Sequence, residues 1–350
     1  MSPSRLDSMM ADATRYRTAI SARMATESRP VWSIMIPTYN CGHFLRETLA
    51  SVLAQDRGPD VMQIEVVDDR STRDDPQLVV DSLGGGRVDF FRQPRNLGVV
   101  GNLNTCLLRA RGRLVHILHG DDMVQGGFYP HMEAAFERYP EIGAAFCRHI
   151  FIDEDGRRLS LSDLEQEASG LLEDGLRRLA SEQRIMTPSI VVRRAVYERL
   201  GGFDLRLACA EDWEMWVRIA AHYPIAYEIA PLAFYRMHAD SNTGRHLRTG
   251  EDVRYTRAAI DMFASYLAND MAPAVVGRAK ETYALAALRT AAAMAERRDA
   301  AAMLAQVREA LRLSRSRRVV RQTVRTLVRG FTRVATSTPR ERPGAPSMRP

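Results

Sequence analysis

Lysine is almost missing from this 350-residue chain. Lys280 is the only one, and arginine carries the basic charge. Chemistry that needs a catalytic or phosphate-binding lysine, such as that of a P-loop kinase, is nearly excluded. Cysteine is scarce too. Cys41, Cys106, Cys147 and Cys209 lie far apart with no C-x-x-C pair, which argues against a zinc ribbon, a thioredoxin-like motif and a disulfide scaffold and fits a reducing cytoplasm. No run of about 18 apolar residues occurs, so no transmembrane helix is expected. Met1 to Arg29 lacks the apolar core of a signal peptide and reads as a poorly ordered lead-in. Gly84, Gly85 and Gly86 precede a strand pattern instead of following one, so they form no dinucleotide fingerprint.

What is present is an ordinary globular composition, 45% hydrophobic and 26% charged, long enough to bury a core without disulfides. The net charge of +6 is unevenly spread. Residues 306–350 hold twelve arginines and two glutamates, which leaves the rest of the chain at −4. A mildly acidic body with a basic tail is not the footprint of a nucleic-acid-binding domain. Within that tail Val320, Val324, Leu327, Val328 and Phe331 share one helical face, and Arg321, Arg325, Arg329 and Arg333 the opposite one. Two readings stay open for this basic helix over 315–334: contact with an anionic membrane surface, or packing on the body with its arginines solvated. Residues 338–350 carry four prolines and no apolar period, the pattern of a disordered tail.

The first half alternates short β-rich runs with helical spacing, which predicts an α/β fold with a mostly parallel sheet and crossover helices. Strands are expected at Trp32 to Pro37, where proline stops the run, at Gln63 to Val67, at Val88 to Phe91 and at Leu114 to Leu118. Helices are expected at Phe44 to Gln55, at Gly98 to Ala110, from about Glu211, and through the alanine-rich stretch Gly250 to Leu313. Four polar features follow or open these elements in order: Pro37-Thr38-Tyr39-Asn40, Asp68-Asp69, Asp121-Asp122 and Glu211-Asp212. In open α/β sheets ligands bind past the carboxyl ends of strands. A carboxylate there can accept the imide N–H of uracil, thymine or guanine. A second acidic pair can hold Mg²⁺ or Mn²⁺ shared with substrate phosphates. A third, at a helix start, can serve as general base. Such a set suffices to displace a nucleoside diphosphate by a hydroxyl.

The run Ser33 to Asn40, with Val66 to Thr72, Arg95 to Gly98, Ala110 to Gly112, His119 to Asp122, Leu200 to Asp204, Ala210 to Trp213 and Tyr235 to His238, resembles glycosyltransferase family 2. The resemblance covers residues 32 to about 242 and implies the GT-A fold, a Rossmann-like mixed, mostly parallel sheet flanked by helices, here with a C-terminal α-helical extension. It divides the chain into a lead-in at 1–30, a catalytic domain at 31–245, a helical region at 246–335 and a tail at 336–350. It also implies that Asp69, with Pro37, Thr38 and Tyr39, binds the nucleotide. Asp121 would reach ribose or metal, and Asp122 and His238 would ligate Mg²⁺ or Mn²⁺. Asp212 would be the general base, with Glu211 and Asn96 in support. Where the family usually has glycine after the first acidic pair, this chain has Arg70.

The expected reaction is the inverting transfer of one sugar from a UDP-, dTDP- or GDP-linked donor to a glycan or lipid-linked acceptor, of the surface-polysaccharide or lipopolysaccharide type. It would take place in the cytoplasm or at the inner face of the membrane, with no nucleic acid involved. The Gln-x-x-Arg-Trp motif of processive relatives is absent, since none of Trp32, Trp213 and Trp216 follows arginine. Two alternatives are a sugar-1-phosphate nucleotidyltransferase and a non-catalytic nucleotide-sugar binder. The first is disfavoured by the lack of Lys or Arg between Pro37 and Arg46. The second is disfavoured by the presence of Asp122 and Asp212 together.

Overall fold

The structure is a computed structural model that describes residues 15–22, 29–238 and 246–335, with side chains up to residue 328. The tail expected at 336–350, most of the lead-in, and the side chains of Arg329, Phe331 and Arg333 lie outside the described residues. The chain falls into two units. One takes in Met1–Gly244 and Ala258–Ala279, the other Arg245–Arg257 and Lys280–Pro350.

The first unit is built on one sheet. Its strands are β1 (Trp32–Thr38), β2 (Met62–Asp68), β3 (Asp89–Arg92), β4 (Leu114–Ile117), β5 (Met123–Val124), β6 (Ala144–Ile152), β7 (Arg158–Leu161), β8 (Gly170–Leu171), β9 (Ile190–Arg193) and β10 (Ile225–Arg236). Their spatial order is β3-β2-β1-β4-β9-β6-β10-β5, with β7 on β6 and β8 on β10. β1 runs parallel to β2 and β4, β2 to β3, and β6 to β10. β9 is antiparallel to both of its neighbours. All seven residues of β1 and of β2 are buried, as expected of parallel strands covered on both faces. The cover is amphipathic: α1 (Gly42–Leu53) buries Phe44, Leu45, Leu49 and Val52, and α3 (Gly98–Arg109) buries Val100, Leu103 and Leu107, with the short α2 (Pro76–Leu83) between them in sequence. β1 does not stop at Pro37. The residue pairs with Val67, and its carbonyl accepts from Gly120 N–H at 3.0 Å, so the missing donor costs the strand little.

The second half of this unit adds α4 (Phe128–Arg138), α5 (Gly175–Ser181), α6 (Arg194–Leu200) and α7 (Glu211–Ala220). Trp213 and Trp216 of α7 are core residues. Trp213 meets Phe263 edge-on at 4.9 Å and donates to the Leu179 carbonyl at 2.6 Å. Part of the expected lead-in is fixed. Ile20 is buried, the Thr18 carbonyl accepts from Gly202 N–H at 2.9 Å, and Arg17 reaches Glu214 at 3.2 Å. The sequence does not signal this, because one isoleucine and one arginine make no periodic pattern.

The remaining helices are α8 (Glu251–Phe263), α9 (Ala272–Glu296), α10 (Ala300–Leu313) and α11 (Arg317–Ala335), and the division between units falls within α8 and α9. The helix expected from Gly250 to Leu313 is therefore interrupted. Arg298 turns into the left-handed region at φ 61°, and the Asp299 side chain then caps α10 by accepting from Ala302 N–H at 3.1 Å. On α11 the inward residues are Val319, Thr323 and Thr326, whereas Val320, Val324 and Val328 are exposed. Of the apolar stripe read from the sequence, Val320, Val324 and Val328 thus face outward and Leu327 is half-buried. No helix of the described residues is long and apolar enough to cross a membrane.

Candidate active site

The ends of β1, β2 and β4 bring two of the acidic clusters to one edge of the sheet. The Thr38 carbonyl accepts from Asp69 N–H at 2.9 Å, and the neighbouring Pro37 carbonyl holds Gly120. The segment Pro37 to Asn40 therefore lies between the Asp69 loop and the loop of Asp121 and Asp122. Close approach is required here: a Cβ on Gly120 would stand 3.0 Å from Thr38 Oγ1 and 3.1 Å from Cys41 Sγ. Asp68 and Asp69 face different tasks. Asp68 is fully consumed by the fold, accepting from Ser71 Oγ at 2.6 Å and from Arg92 Nε at 2.7 Å. Asp69 accepts from Leu97 N–H at 2.7 Å, and Asn96 Nδ2 donates to its carbonyl at 2.9 Å. Burial raises the Asp69 carboxyl to about 6, against the lowering effect of the Leu97 and Gly98 amides. Asn96 thus orients the Asp69 backbone, and Tyr39 is half-buried beside Asn40.

Asp122 is 1% exposed. Its Oδ1 accepts from Arg236 N–H at 2.9 Å, but Oδ2 is buried with no hydrogen-bond partner. Burial, and then the charge of Asp121, push this carboxyl well above the usual carboxylate range. His119 Nδ1 stands 3.8 Å from the orphaned oxygen, and its own Nε2 is buried and unpartnered. Ligand atoms of His119, Asp121 and Asp122 lie within 4.8 Å of one another. His238 meets the same cluster from the end of the last strand: its Nε2 donates to Asp121 Oδ2 at 2.9 Å. Two hard oxygens and one imidazole, two of the three residues carrying unpartnered buried atoms, form a donor set that fits a divalent cation such as Mn²⁺.

Arg236 frames this loop. Its side chain is buried, donating to the Asp121 carbonyl at 2.8 Å, to the Glu154 carbonyl at 3.1 Å and to Glu47 at 2.7 Å, over the face of Phe44. Arg236 falls within the Tyr235-to-His238 motif, but nothing in the sequence signals this bracing task. His119 reads from the sequence as packing or support, although a histidine two residues from an aspartate is short-range ligand spacing.

Asp212 opens α7, half-buried, in a first turn that also holds Glu211 and Glu214, where acids suit the helix dipole. Gln183 Nε2 donates to its Oδ2 at 2.7 Å and Thr187 Oγ1 at 3.4 Å, while Trp213 N–H donates to Oδ1 at 2.7 Å. No sequence signal marks Gln183 or Thr187, which sit 29 and 25 residues upstream of Asp212. Their segment is pinned to β4, the strand leading into the His119 loop, by the His116 Nε2 contact with the Pro188 carbonyl at 3.0 Å. Burial raises Asp212 to about 6, and burial with the neighbouring Asp212 charge raises Glu211 to about 8. Tyr235, pushed far upward chiefly by burial, also feels the charges of Asp122, Asp121 and Asp212.

Three non-glycine residues with left-handed backbone flank the clusters: Asn40 at φ 55°, Arg70 at φ 64° and Ala210 at φ 63°. Arg70, which stands where the sequence resemblance implied glycine, adopts this backbone itself. Such conformations cost about 1–2 kcal/mol each and gather at functional sites.

Residues 33–201 match the family described as glycosyl transferase family 2. The match takes in just under half of the chain and marks it as a glycosyltransferase. Relatives of this glycosyltransferase include the uncharacterized protein MT1568 of Mycobacterium tuberculosis, 29% identical over 67% of this chain and 76% of the other. Another is the uncharacterized glycosyltransferase MJ1057 of Methanocaldococcus jannaschii, 24% identical over 55% of this chain and 66% of the other. Among solved structures, S. aureus TarS 1-349 in complex with UDP-GlcNAc superposes at a TM-score of 0.59 and 15% identity, covering 79% of this glycosyltransferase and 90% of the TarS 1-349 chain. Mannosyltransferase PcManGT from Pyrobaculum calidifontis, in complex with GDP-Man and Mn²⁺, does so at 0.51 and 19%, covering 87% and 93%. The fold is GT-A, in line with the expectation from the sequence.

Proposed function

We propose that this glycosyltransferase moves one sugar from a nucleoside-diphosphate sugar to a hydroxyl of a glycan or lipid-linked acceptor, with inversion at the anomeric carbon. The observation that carries this reading is the buried, unpartnered Asp122 Oδ2 beside His119 and Asp121. The neighbours bound to UDP-GlcNAc and to GDP-Man support the donor class.

Asp69 accepts the imide N–H of the base, flanked by Pro37, Thr38 and Tyr39, and Asn96 keeps its backbone in place. Asp121, steadied by His238, faces the ribose and the cation. A divalent cation held by His119, Asp121 and Asp122 would neutralise charge on the departing diphosphate. Asp212 takes the proton of the acceptor hydroxyl as its oxygen bonds to C1 and the C1–O bond to the diphosphate breaks. Gln183 and Thr187 hold Oδ2 of Asp212 in the orientation this transfer needs. With one base and no second nucleophile in the set, a single displacement is the natural course. A positioned base contributes roughly 10²–10⁴ in rate.

A panel of nucleotide sugars, scored by release of the nucleoside diphosphate, tests the reading. At least one donor is expected to be turned over. Asp212→Asn is expected to keep nucleotide affinity within a few-fold while losing about 10²–10⁴ in turnover. Normal turnover by that variant would remove Asp212 from its assigned role.

A further inference from the structure

We propose that the outward face of α11 docks on an anionic lipid bilayer. The proposal rests on how the helix is seated in its own unit and is independent of the donor, the acceptor and the assignment of Asp212.

α11 turns a mixed side inward and leaves a valine row out. Val319, Thr323 and Thr326 are buried, and Thr323 Oγ1 donates to the Val319 carbonyl at 2.9 Å. Val320, Val324 and Val328, spaced by four residues along one side, remain 45%, 56% and 57% exposed. Two threonines go inward with Val319 and the half-buried Leu327 while three valines stay out, which burial of apolar area alone would not select. Leaving a continuous valine row in solvent is the arrangement expected of a surface that something else covers.

The charge around the row says what covers it. Arg317, Arg318, Arg321 and Arg325 are all exposed, and at 100° per residue they run alongside the valines. No Asp or Glu occurs between Glu309 and Glu341. A second copy of this chain laid face to face would set arginine against arginine. A nucleic acid would engage the guanidinium groups but leave the valines wet. An anionic bilayer satisfies both parts: valines enter the headgroup and acyl boundary while arginines meet lipid phosphates. Each arginine near such a surface is worth about 1 kcal/mol, or roughly five-fold in partitioning.

The test uses the full chain and vesicles of phosphatidylcholine alone or mixed with phosphatidylglycerol, read by co-sedimentation. Binding is expected only to the anionic vesicles, weakening as salt is raised. The pair Arg321→Glu and Arg325→Glu is expected to lower partitioning at least about 25-fold. The pair Val320→Asn and Val324→Asn is expected to lower it about ten-fold. Arg321→Lys with Arg325→Lys keeps the charge and is expected to stay within a few-fold of the unaltered chain. All these positions are exposed, so helix content by circular dichroism is expected to hold. Should a pair lose helix content, the contrast between the two vesicle types on the unaltered chain still decides. Failure to bind anionic vesicles, or equal binding to both kinds, overturns the proposal. So does binding that neither pair weakens. Self-association in sedimentation velocity that the valine pair abolishes would reassign the face to a second copy. Oligonucleotide binding without vesicle binding would reassign it to nucleic acid.

Discussion

The backbone N–H of Arg236 donates to Oδ1 of Asp122 at 2.9 Å and leaves Oδ2 as the buried, unpartnered oxygen of the pair. One residue at the end of β10 therefore aims the carboxylate, while its guanidinium ties down the Asp121 and Glu154 carbonyls. Arg236→Met keeps the backbone bond but strands those acceptors. It is expected to cost about 3 kcal/mol in urea unfolding, and to weaken Mn²⁺-dependent nucleotide binding because the loop loses its brace. Unchanged stability would mean that water replaces the guanidinium freely.

The raised carboxyls give activity and stability opposite pH dependences. Asp212 must be ionised to accept a proton, and its carboxyl titrates near 6, so turnover is expected to fall as pH drops through about 6. Stability runs the other way. Glu211 is raised to about 8 when folded, so the native state holds a proton that the unfolded chain releases near 4.5. Its favourable contribution is complete below about 4.5 and disappears as pH rises through 8. Glu211→Gln is expected to be more stable than the parent at pH 8, with the advantage vanishing towards pH 5. Thermal melts at the two pH values check it, and an equal advantage at both would contradict the burial argument.

Arg70 occupies a left-handed turn that glycine adopts freely. Arg70→Gly removes about 1–2 kcal/mol of backbone strain and returns up to about 1 kcal/mol through the freer unfolded chain. A net gain of about 0.5–1 kcal/mol in denaturant unfolding is expected. A loss would show that the Arg70 side chain makes a compensating contact.

His119 and His238 differ in their expected effect on the cation. Removing the imidazole of His119 takes away a ligand, so His119→Ala is expected to weaken Mn²⁺ binding by more than about 100-fold. His238→Ala, which removes only the brace on Asp121, is expected to weaken it by about ten-fold. Free Mn²⁺ followed by electron paramagnetic resonance measures both. The reverse ranking would return His238 to the ligand role that the sequence resemblance implied.

Much of this site is legible in the amino-acid sequence. β1 and β2 announce themselves as unbroken apolar runs ending in polar residues, and the Asp69, Asp122 and Asp212 clusters follow in the family's order. The misreadings are of another kind. Pro37 reads as a stop because proline lacks a donor, yet only its carbonyl is needed at that edge. Gln183 and Thr187 reach Asp212 through folding alone, and no spacing rule connects them. The orientation of α11 could not be read from its amphipathic pattern, because the pattern offers two sides and tertiary packing chose the one with Thr323 and Thr326. Arg70 and Ala210 break the local preference for glycine in left-handed turns, and the sequence places them beside the acids without revealing that strain.

The central claim is that Asp69, Asp122 and Asp212 serve one nucleotide-sugar site. Calorimetric titration with UDP and with GDP, each in the presence and absence of Mn²⁺, tests it most directly. One nucleotide is expected to bind the parent chain at least about ten-fold more tightly with Mn²⁺. Asp122→Asn should lose that enhancement, Asp69→Asn should weaken binding with or without metal, and Asp212→Asn should leave both values in place. Binding that ignores Mn²⁺, or that survives Asp69→Asn and Asp122→Asn unaltered, would contradict the account.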